Sequence, residues 1–255
     1  MSTPPRSGTA GRTIPFRATL GRSVRLFSAF RKEQTDPDLF YGTLARDTVA
    51  QLRSYTPLDG AVVVDIGGGP GYFTDALNAA GARCVCVDAD AGELRLRGGE
   101  APGTAVLGSA LDMPVRTGSV DVCLSSNVLE HVPEPERMAD EMVRVTRPGG
   151  LVYLSYTLWL CPWGGHETSP WHYLGGHYAA RRFTRKNGRR PKNDFGCTMF
   201  ALSASRMLAW SRDRDDVDVL DVLPRYLPGW MKPVVRVPGL REVVTWNLLL
   251  VLRKH

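Results

Sequence analysis

Long hydrophobic runs are missing from this chain. Its longest apolar stretches, 151–161 and 246–252, fall short of the ~20 residues a helix needs to cross a bilayer, so no spanning segment is expected. Arg6 and Arg12 are followed by no apolar core, which argues against a secretory leader. Cysteine is scarce and odd in number, with five residues: Cys84, Cys86, Cys123, Cys161 and Cys197. No second Cys-x-Cys or Cys-x-x-Cys completes a zinc set around Cys84 and Cys86, and core thiols in a reducing cytosol are the reading that follows. Acidic charge is in modest deficit, leaving a formal net charge of +6. That favours anionic partners in general, without choosing among a lipid headgroup surface, an acidic metabolite and nucleic acid. No nucleic-acid recognition signature is found, which disfavours the last of these. A cytoplasmic protein is expected, with the inner face of the membrane left open as its place of work.

What the chain does contain is a β-branched run that meets a glycine cluster: Val62, Val63, Val64, Asp65, Ile66, Gly67, Gly68, Gly69, Pro70, Gly71, then Tyr72 and Phe73. This reads as a strand buried on both faces, a tight turn and the start of a helix. Gly67, Gly69 and Gly71 permit positive φ and a close approach of backbone to a ligand. A dinucleotide site needs a third small residue so that the helix can pack on the strand, and that frame fails here. Counting from Gly67 puts Tyr72 in the third place; counting from Gly69 puts Thr74 there. Asp65, just ahead of the turn, would repel a pyrophosphate and attract the cationic end of an amino-acid-like ligand.

The pattern Asp65-x-Gly67-x-Gly69-x-Gly71 resembles the first motif of the class I S-adenosylmethionine-dependent methyltransferases. The resemblance extends in order along residues 60–157. Asp88 closes a second apolar run 23 residues after Asp65, where that family has an acidic residue for the ribose hydroxyls. Leu107-Gly108-Ser109-Ala110-Leu111-Asp112, then Ser125-Ser126-Asn127-Val128-Leu129-Glu130-His131, then Arg147-Pro148-Gly149-Gly150 follow as its later motifs. The likeness is to the small-molecule branch, similar to enzymes of ubiquinone and menaquinone biosynthesis. It implies S-adenosylmethionine as cofactor, with contacts at Asp65, Gly67, Gly69, Gly71, Asp88, Ser109, Ala110 and Asn127. Ser109 stands where the family usually has an acidic residue for the adenine amino group, so Asp112 or a backbone carbonyl is expected to take that place.

Alternating strand and helix patterns predict an α/β, Rossmann-like, mostly parallel sheet with helices on both faces. Seven strands with an antiparallel last one are what the resemblance implies. Residues 1–15 read as a mobile tail and 16–58 as N-terminal lid helices. In the first, Leu20, Val24, Phe27 and Phe30 form the apolar side and Arg22 and Arg25 the polar one. The second opens at Asp36-Pro37 and carries Phe40 and Tyr41 as lid or core aromatics. The cofactor core spans 59–157, with strands at 61–66, 83–88, 104–107, 120–125 and 150–157 and helices at 71–80, 91–97 and 134–145. An aromatic and basic insertion, 158–200, follows the fifth strand and is expected to form much of the acceptor pocket. Residues 201–255 complete the sheet, with a capping loop at 224–238.

A sulfonium methyl is already activated, so the enzyme must position the reactants, exclude water and free a lone pair on the acceptor. His166, Glu167 and Tyr226 are the candidate bases, with His172 and His177 nearby, and no metal is expected. The function that follows is methyl transfer to a small-molecule, lipid or glycan acceptor, with oxygen the expected atom. Two alternatives stay open: a methyltransferase of RNA or protein that uses the basic run 181–192, and a non-catalytic binding protein on the same fold. Peripheral membrane contact through 17–30 and 224–238 is a further option. Oligomeric state is not legible.

Overall fold

The computed structural model describes residues 15–95 and 105–255. The expected tail therefore lies, save Pro15, outside the described residues, as does the end of the helix expected at 91–97. Before that gap the chain forms only a 3-10 turn, Glu93–Arg95.

Two helices lead: α1 at Leu20–Phe30 and α2 at Pro37–Leu52. Thr19 caps the first by accepting from the Arg22 N–H, and Asp36 caps the second by accepting from the Leu39 N–H. Then come β1 (Val62–Ile66), α3 (Tyr72–Ala79), β2 (Arg83–Asp88), β3 (Ala105–Leu107), β4 (Val120–Ser126), α4 (Pro135–Val145) and β5 (Thr146–Thr157). After the insertion, which holds α5 (Gly176–Asn187), the chain adds α6 (Ala204–Arg212), β6 (Val217–Pro224), α7 (Leu240–Val244) and β7 (Asn247–Lys254). The strands form one seven-stranded sheet in the order β3-β2-β1-β4-β5-β7-β6. β7 runs antiparallel to both of its neighbours, and the other recorded pairings are parallel. This is the expected Rossmann-like architecture.

Period-two alternation sorts the side chains between two cores. Val64, Ile66, Cys123, Val152, Leu154, Leu248, Leu250 and Leu252 meet α4 and α6 through Met138, Met142 and Met207. Their sequence neighbours Val63, Val122, Leu124, Tyr153, Leu249 and Val251 meet α1, α2 and α3 through Leu26, Leu44 and Phe73. Four of the five thiols are buried in these layers or beside them, as free cysteines; Cys197 is exposed.

The polarity expected for α1 is corrected. Leu20 and Val24 point outward, whereas Arg22 is buried together with Leu26 and Ala29. The physical reason is a partner that helical periodicity does not reveal: Arg22 Nε and Nη2 donate to both carboxylate oxygens of Asp47 on α2, at 2.8 and 2.6 Å. Phe27 and Phe30 do face inward as expected, against Trp163 of the insertion, with ring centroids 5.9 and 5.8 Å away. Phe40 is core, and Tyr41 stacks on Tyr72 at the start of α3.

Candidate active site

Tight packing around the turn after β1 explains its glycines. Gly67 (φ +65°) donates its N–H to the Val87 carbonyl at 2.7 Å, and a Cβ there would lie 2.5 Å from Val128 Cγ2. A Cβ on Gly68 would lie 2.5 Å from Asp65 Oδ2 and 2.8 Å from Cys86 Sγ. Gly69 donates to Asp88 Oδ2 at 2.9 Å, which ties the end of β2 to the turn. Gly71 (φ +88°) opens α3. The turn therefore stands against the carboxyl ends of β1, β2 and β4, where ligands of such sheets bind.

Asp65 does not face that crevice as the charge argument expected. It is buried, accepts from Thr74 Oγ1 at 3.0 Å and sits beneath Gly68. Burial pushes its carboxyl up to about 7, against the Thr74 hydrogen bond. It braces the turn from below. Asp88 is half-buried, and its other oxygen accepts from the Asp90 N–H at 2.8 Å. Ser109 is exposed and accepts from the Leu111 N–H at 3.1 Å, Ala110 is half-buried beside it, and Asp112 is exposed.

At the end of β4 the structure brings in a residue that the sequence reading missed. Arg225 is 2% exposed, and its guanidinium donates to Ser126 Oγ (2.8 Å), Ser155 Oγ (2.5 Å) and Thr48 Oγ1 (2.7 Å). Asn127 adopts φ +60°, and its side-chain oxygen accepts from Ser126, Arg225 and the Tyr226 hydroxyl at 3.1 Å in the last case. Its amide donates to Thr157 Oγ1 at 3.1 Å, so this side chain is spent on protein partners. Burial raises the Tyr226 phenol to about 12, and the hydrogen bond that its hydroxyl donates holds it on Asn127.

His166 is placed beside Glu130 and His131. One potential ligand or proton-accepting atom of each of the three lies within 4.8 Å of the others. The His166 ring meets that of His131 with centroids 5.3 Å apart, and burial lowers its pKa. Its Nε2 is buried without a partner, as is Glu130 Oε2. Glu167, by contrast, accepts from the backbone and side-chain nitrogens of Asn193 at 3.0 and 2.7 Å. These bonds tie the turn at Glu167 to the loop at Asn193 within the insertion. His172 is buried between Ser169 Oγ and the Cys161 carbonyl, and His177 packs on Phe195. Several of the insertion's aromatics pack on one another or on α1, so less of it lines a pocket than expected.

Residues 64–154 match the family model described as a methyltransferase domain. A protein of Mycolicibacterium gilvum, described as an uncharacterized methyltransferase, is 52% identical over 246 residues, covering 93% of this chain and 96% of that one. The chain is a methyltransferase. A similarly described protein of Mycobacteroides abscessus is 49% identical over 249 residues, covering 93% of this chain and 95% of that one. The crystal structure of an S-adenosylmethionine dependent methyltransferase from Mesorhizobium loti shares the fold, with a TM-score of 0.55 at 17% identity over 84% of this chain and 98% of that one.

The residues present fit S-adenosylmethionine, the cofactor that the motif resemblance implies. Gly67 and Gly68 let the turn pack closely on Val128 and over Asp65, a Cβ on Gly69 would meet nothing within 4 Å, so the turn is open on that side, and the Asp88 carboxylate keeps lone pairs beyond its bonds to Gly69 and Asp90, as a vicinal diol requires. The buried Asp65 makes a separate prediction. In the unfolded chain its carboxyl returns to its ordinary value of 3.8, so the folded methyltransferase binds the extra proton between that pH and about 7. Stability from this group is full below the lower value and is lost as pH rises through the upper one. Asp65→Asn is expected to flatten the slope: urea denaturation at about pH 5 and about pH 8 should show the wild type losing more stability than the variant.

Proposed function

We propose that this methyltransferase methylates an oxygen atom of a small-molecule, lipid or glycan acceptor, and that Glu130, His131 and His166 stand where the acceptor's proton leaves. One observation carries the reading: the buried, unpartnered Nε2 of His166 beside Glu130 and His131. The cluster is close to the glycine turn along the chain, because Val128, which packs on Gly67, directly precedes the turn Leu129–His131.

The chemistry supplied by bound S-adenosylmethionine is an electrophilic sulfonium methyl, which needs no further activation. Three tasks fall to the chain. Asp88 would hold the ribose hydroxyls, the Gly67–Gly69 backbone would lie against the donor, and Ser109 and Ala110 would border the adenine. Asn127, locked by Arg225 and Tyr226, contributes shape and backbone at the end of β4. His166, kept neutral by burial, takes the acceptor's proton on Nε2 while Nδ1 keeps its own. The insertion and α1 close the crevice against water through the Phe27, Phe30 and Trp163 contacts.

A lipid acceptor has its own support. Leu20 and Val24 on α1 are 61% and 58% exposed, Trp230 is 73% exposed, and the two segments are joined by the Gly229 N–H on the Ala18 carbonyl at 2.7 Å. Arg17, Arg25 and Arg236 accompany them, the composition of an apolar surface that meets anionic headgroups. Membrane-lipid extracts are therefore the first acceptors to try. Incubated with donor carrying a deuterated methyl, they should yield a product heavier by one labelled methyl in mass spectrometry. His166→Ala should slow that product by on the order of a hundredfold while leaving donor affinity unchanged. Label in RNA or protein, or undiminished turnover by His166→Ala, would sink the reading.

A further inference from the structure

Among the described residues, one group of metal-ligating side chains comes together in space, and it is Glu130, His131 and His166. Two belong to the short turn after β4 and the third to the insertion, where His166 adopts φ +47°. We propose that this trio is a binding site for a divalent first-row metal ion, held by one carboxylate oxygen and two imidazole nitrogens.

The argument rests on which atoms are used and which are left over. Glu130 is 1% exposed; its Oε1 accepts from the Thr157 N–H at 3.0 Å, while Oε2 is buried with no partner. An unsatisfied buried carboxylate oxygen is costly, and a cation is the partner that repays it best. His166 Nε2 is in the same condition. His131 Nδ1 lies 2.8 Å from the Thr198 carbonyl, which can only accept. Nδ1 therefore carries the proton and Nε2 keeps its lone pair. An imidazole oriented by a backbone carbonyl is how ligand histidines are normally held. The loop that supplies this carbonyl is itself anchored on the cluster, since the Phe200 N–H donates to the Glu130 carbonyl at 2.9 Å. Glu130 and His131 are thus each fixed through one atom and free at another.

Distances agree with the chemistry. Metal–ligand bonds of about 2.0–2.2 Å put the ligand atoms of one ion about 3–4 Å apart. The trio, with its atoms within 4.8 Å of one another, reaches that span by small side-chain rotations. Two nitrogens and one oxygen select zinc, cobalt, iron or manganese over magnesium and calcium, which prefer all-oxygen shells. Three protein ligands leave coordination positions open, as in catalytic sites. His131 and His166 are only partly buried, which gives an ion a way in. A cation there would lower the pKa of a hydroxyl that binds it, achieving by charge what unloaded His166 achieves by basicity. That purpose rests on the methyl-transfer reading; the binding does not.

The test uses the full chain after chelator treatment, titrated calorimetrically with Zn2+ alone and followed by absorption with Co2+ alone. One ion per chain is expected, with a cobalt spectrum of nitrogen and oxygen ligation that lacks a thiolate band. His131→Ala and His166→Ala should each weaken binding by roughly tenfold or more, as loss of a ligand does. Cys197→Ser and His255→Ala, which remove an exposed thiol and the terminal imidazole, should not. Glu130→Gln keeps an oxygen for the Thr157 N–H and, checked for folding by thermal melt, should weaken binding likewise. Absence of saturable binding to the wild type overturns the site, and so does unchanged affinity in the His131→Ala, His166→Ala double variant. Binding of S-adenosylmethionine, measured in the same protein without metal, separates failure of this site from failure of the methyltransferase reading.

Discussion

Gly67→Ala is expected to weaken S-adenosylmethionine binding by roughly a hundredfold, about 2.8 kcal/mol, whereas Gly69→Ala should weaken it only several-fold. Both glycines have positive φ, +65° and +49°, so both alanines carry backbone strain of about 1–2 kcal/mol. Space separates them. A Cβ on Gly67 would meet Val128 at 2.5 Å (Cγ2), 2.8 Å (Cγ1) and 3.2 Å (Cβ), while nothing lies within 4 Å of one on Gly69. Valine is short and stiff at χ1, so it cannot swing aside as a long side chain would. The turn must move instead, and with it the 2.7 Å bond from Gly67 to the Val87 carbonyl that sets the turn against β2. Calorimetry on folded variants measures both affinities. Val128→Ala added to Gly67→Ala should restore part of the loss, because it removes the methyls in the way. Equal losses at the two positions, or no rescue, would falsify the steric account.

The parts of this molecule that are legible in the sequence are those where one short segment makes its own case. Val62–Ile66 before Gly67 is legible because a β-branched run and a glycine turn are local signals. The strand expected at 83–88 matches β2 at Arg83–Asp88, and the helix expected at 134–145 matches α4 at Pro135–Val145. The fifth strand was expected from 150 and begins at Thr146, directly after α4, since the Pro148-Gly149-Gly150 stretch that suggests a turn is carried as an irregular start to the strand. What could not be read are pairings between distant segments. Helical periodicity places an arginine outward, and Arg22 faces inward because its partner is on α2. The same holds for Arg225, whose partners lie on α2, β4 and β5. Glu130 and His131 belong to the motif after β4, and His166 stands in the insertion. Their meeting depends on how the insertion folds back, which no local pattern encodes. A carboxylate written before a glycine turn looked like a ligand contact, yet strand alternation and Thr74 take Asp65 underneath it.

The second large effect is expected at Asp47. Asp47→Ala should lower the free energy of unfolding by about 3–5 kcal/mol, because it leaves the buried Arg22 charge without its counterion. Arg22 and Asp47 side chains are 4% and 5% exposed, and two hydrogen bonds of 2.8 and 2.6 Å join them. The pair is a bidentate guanidinium–carboxylate contact, the strong kind. Replacing both members with apolar side chains of similar size, Arg22→Met with Asp47→Leu, removes the orphaned charge and should return stability toward the wild type. The consequence also reaches the active site. Arg22 Nη1 donates to the Arg225 carbonyl at 2.9 Å, and Arg225 in turn holds Ser126, Ser155 and Thr48 around the end of β4. Freeing Arg22 therefore loosens α1 and the backbone of Arg225 together, and donor affinity should fall in Asp47→Ala even where the protein remains folded. Urea denaturation gives the stability change and calorimetry the affinity. If Asp47→Ala proves no less stable than the apolar double variant, the ion pair is not what fixes α1 to α2, and the coupling from α1 to the end of β4 fails with it.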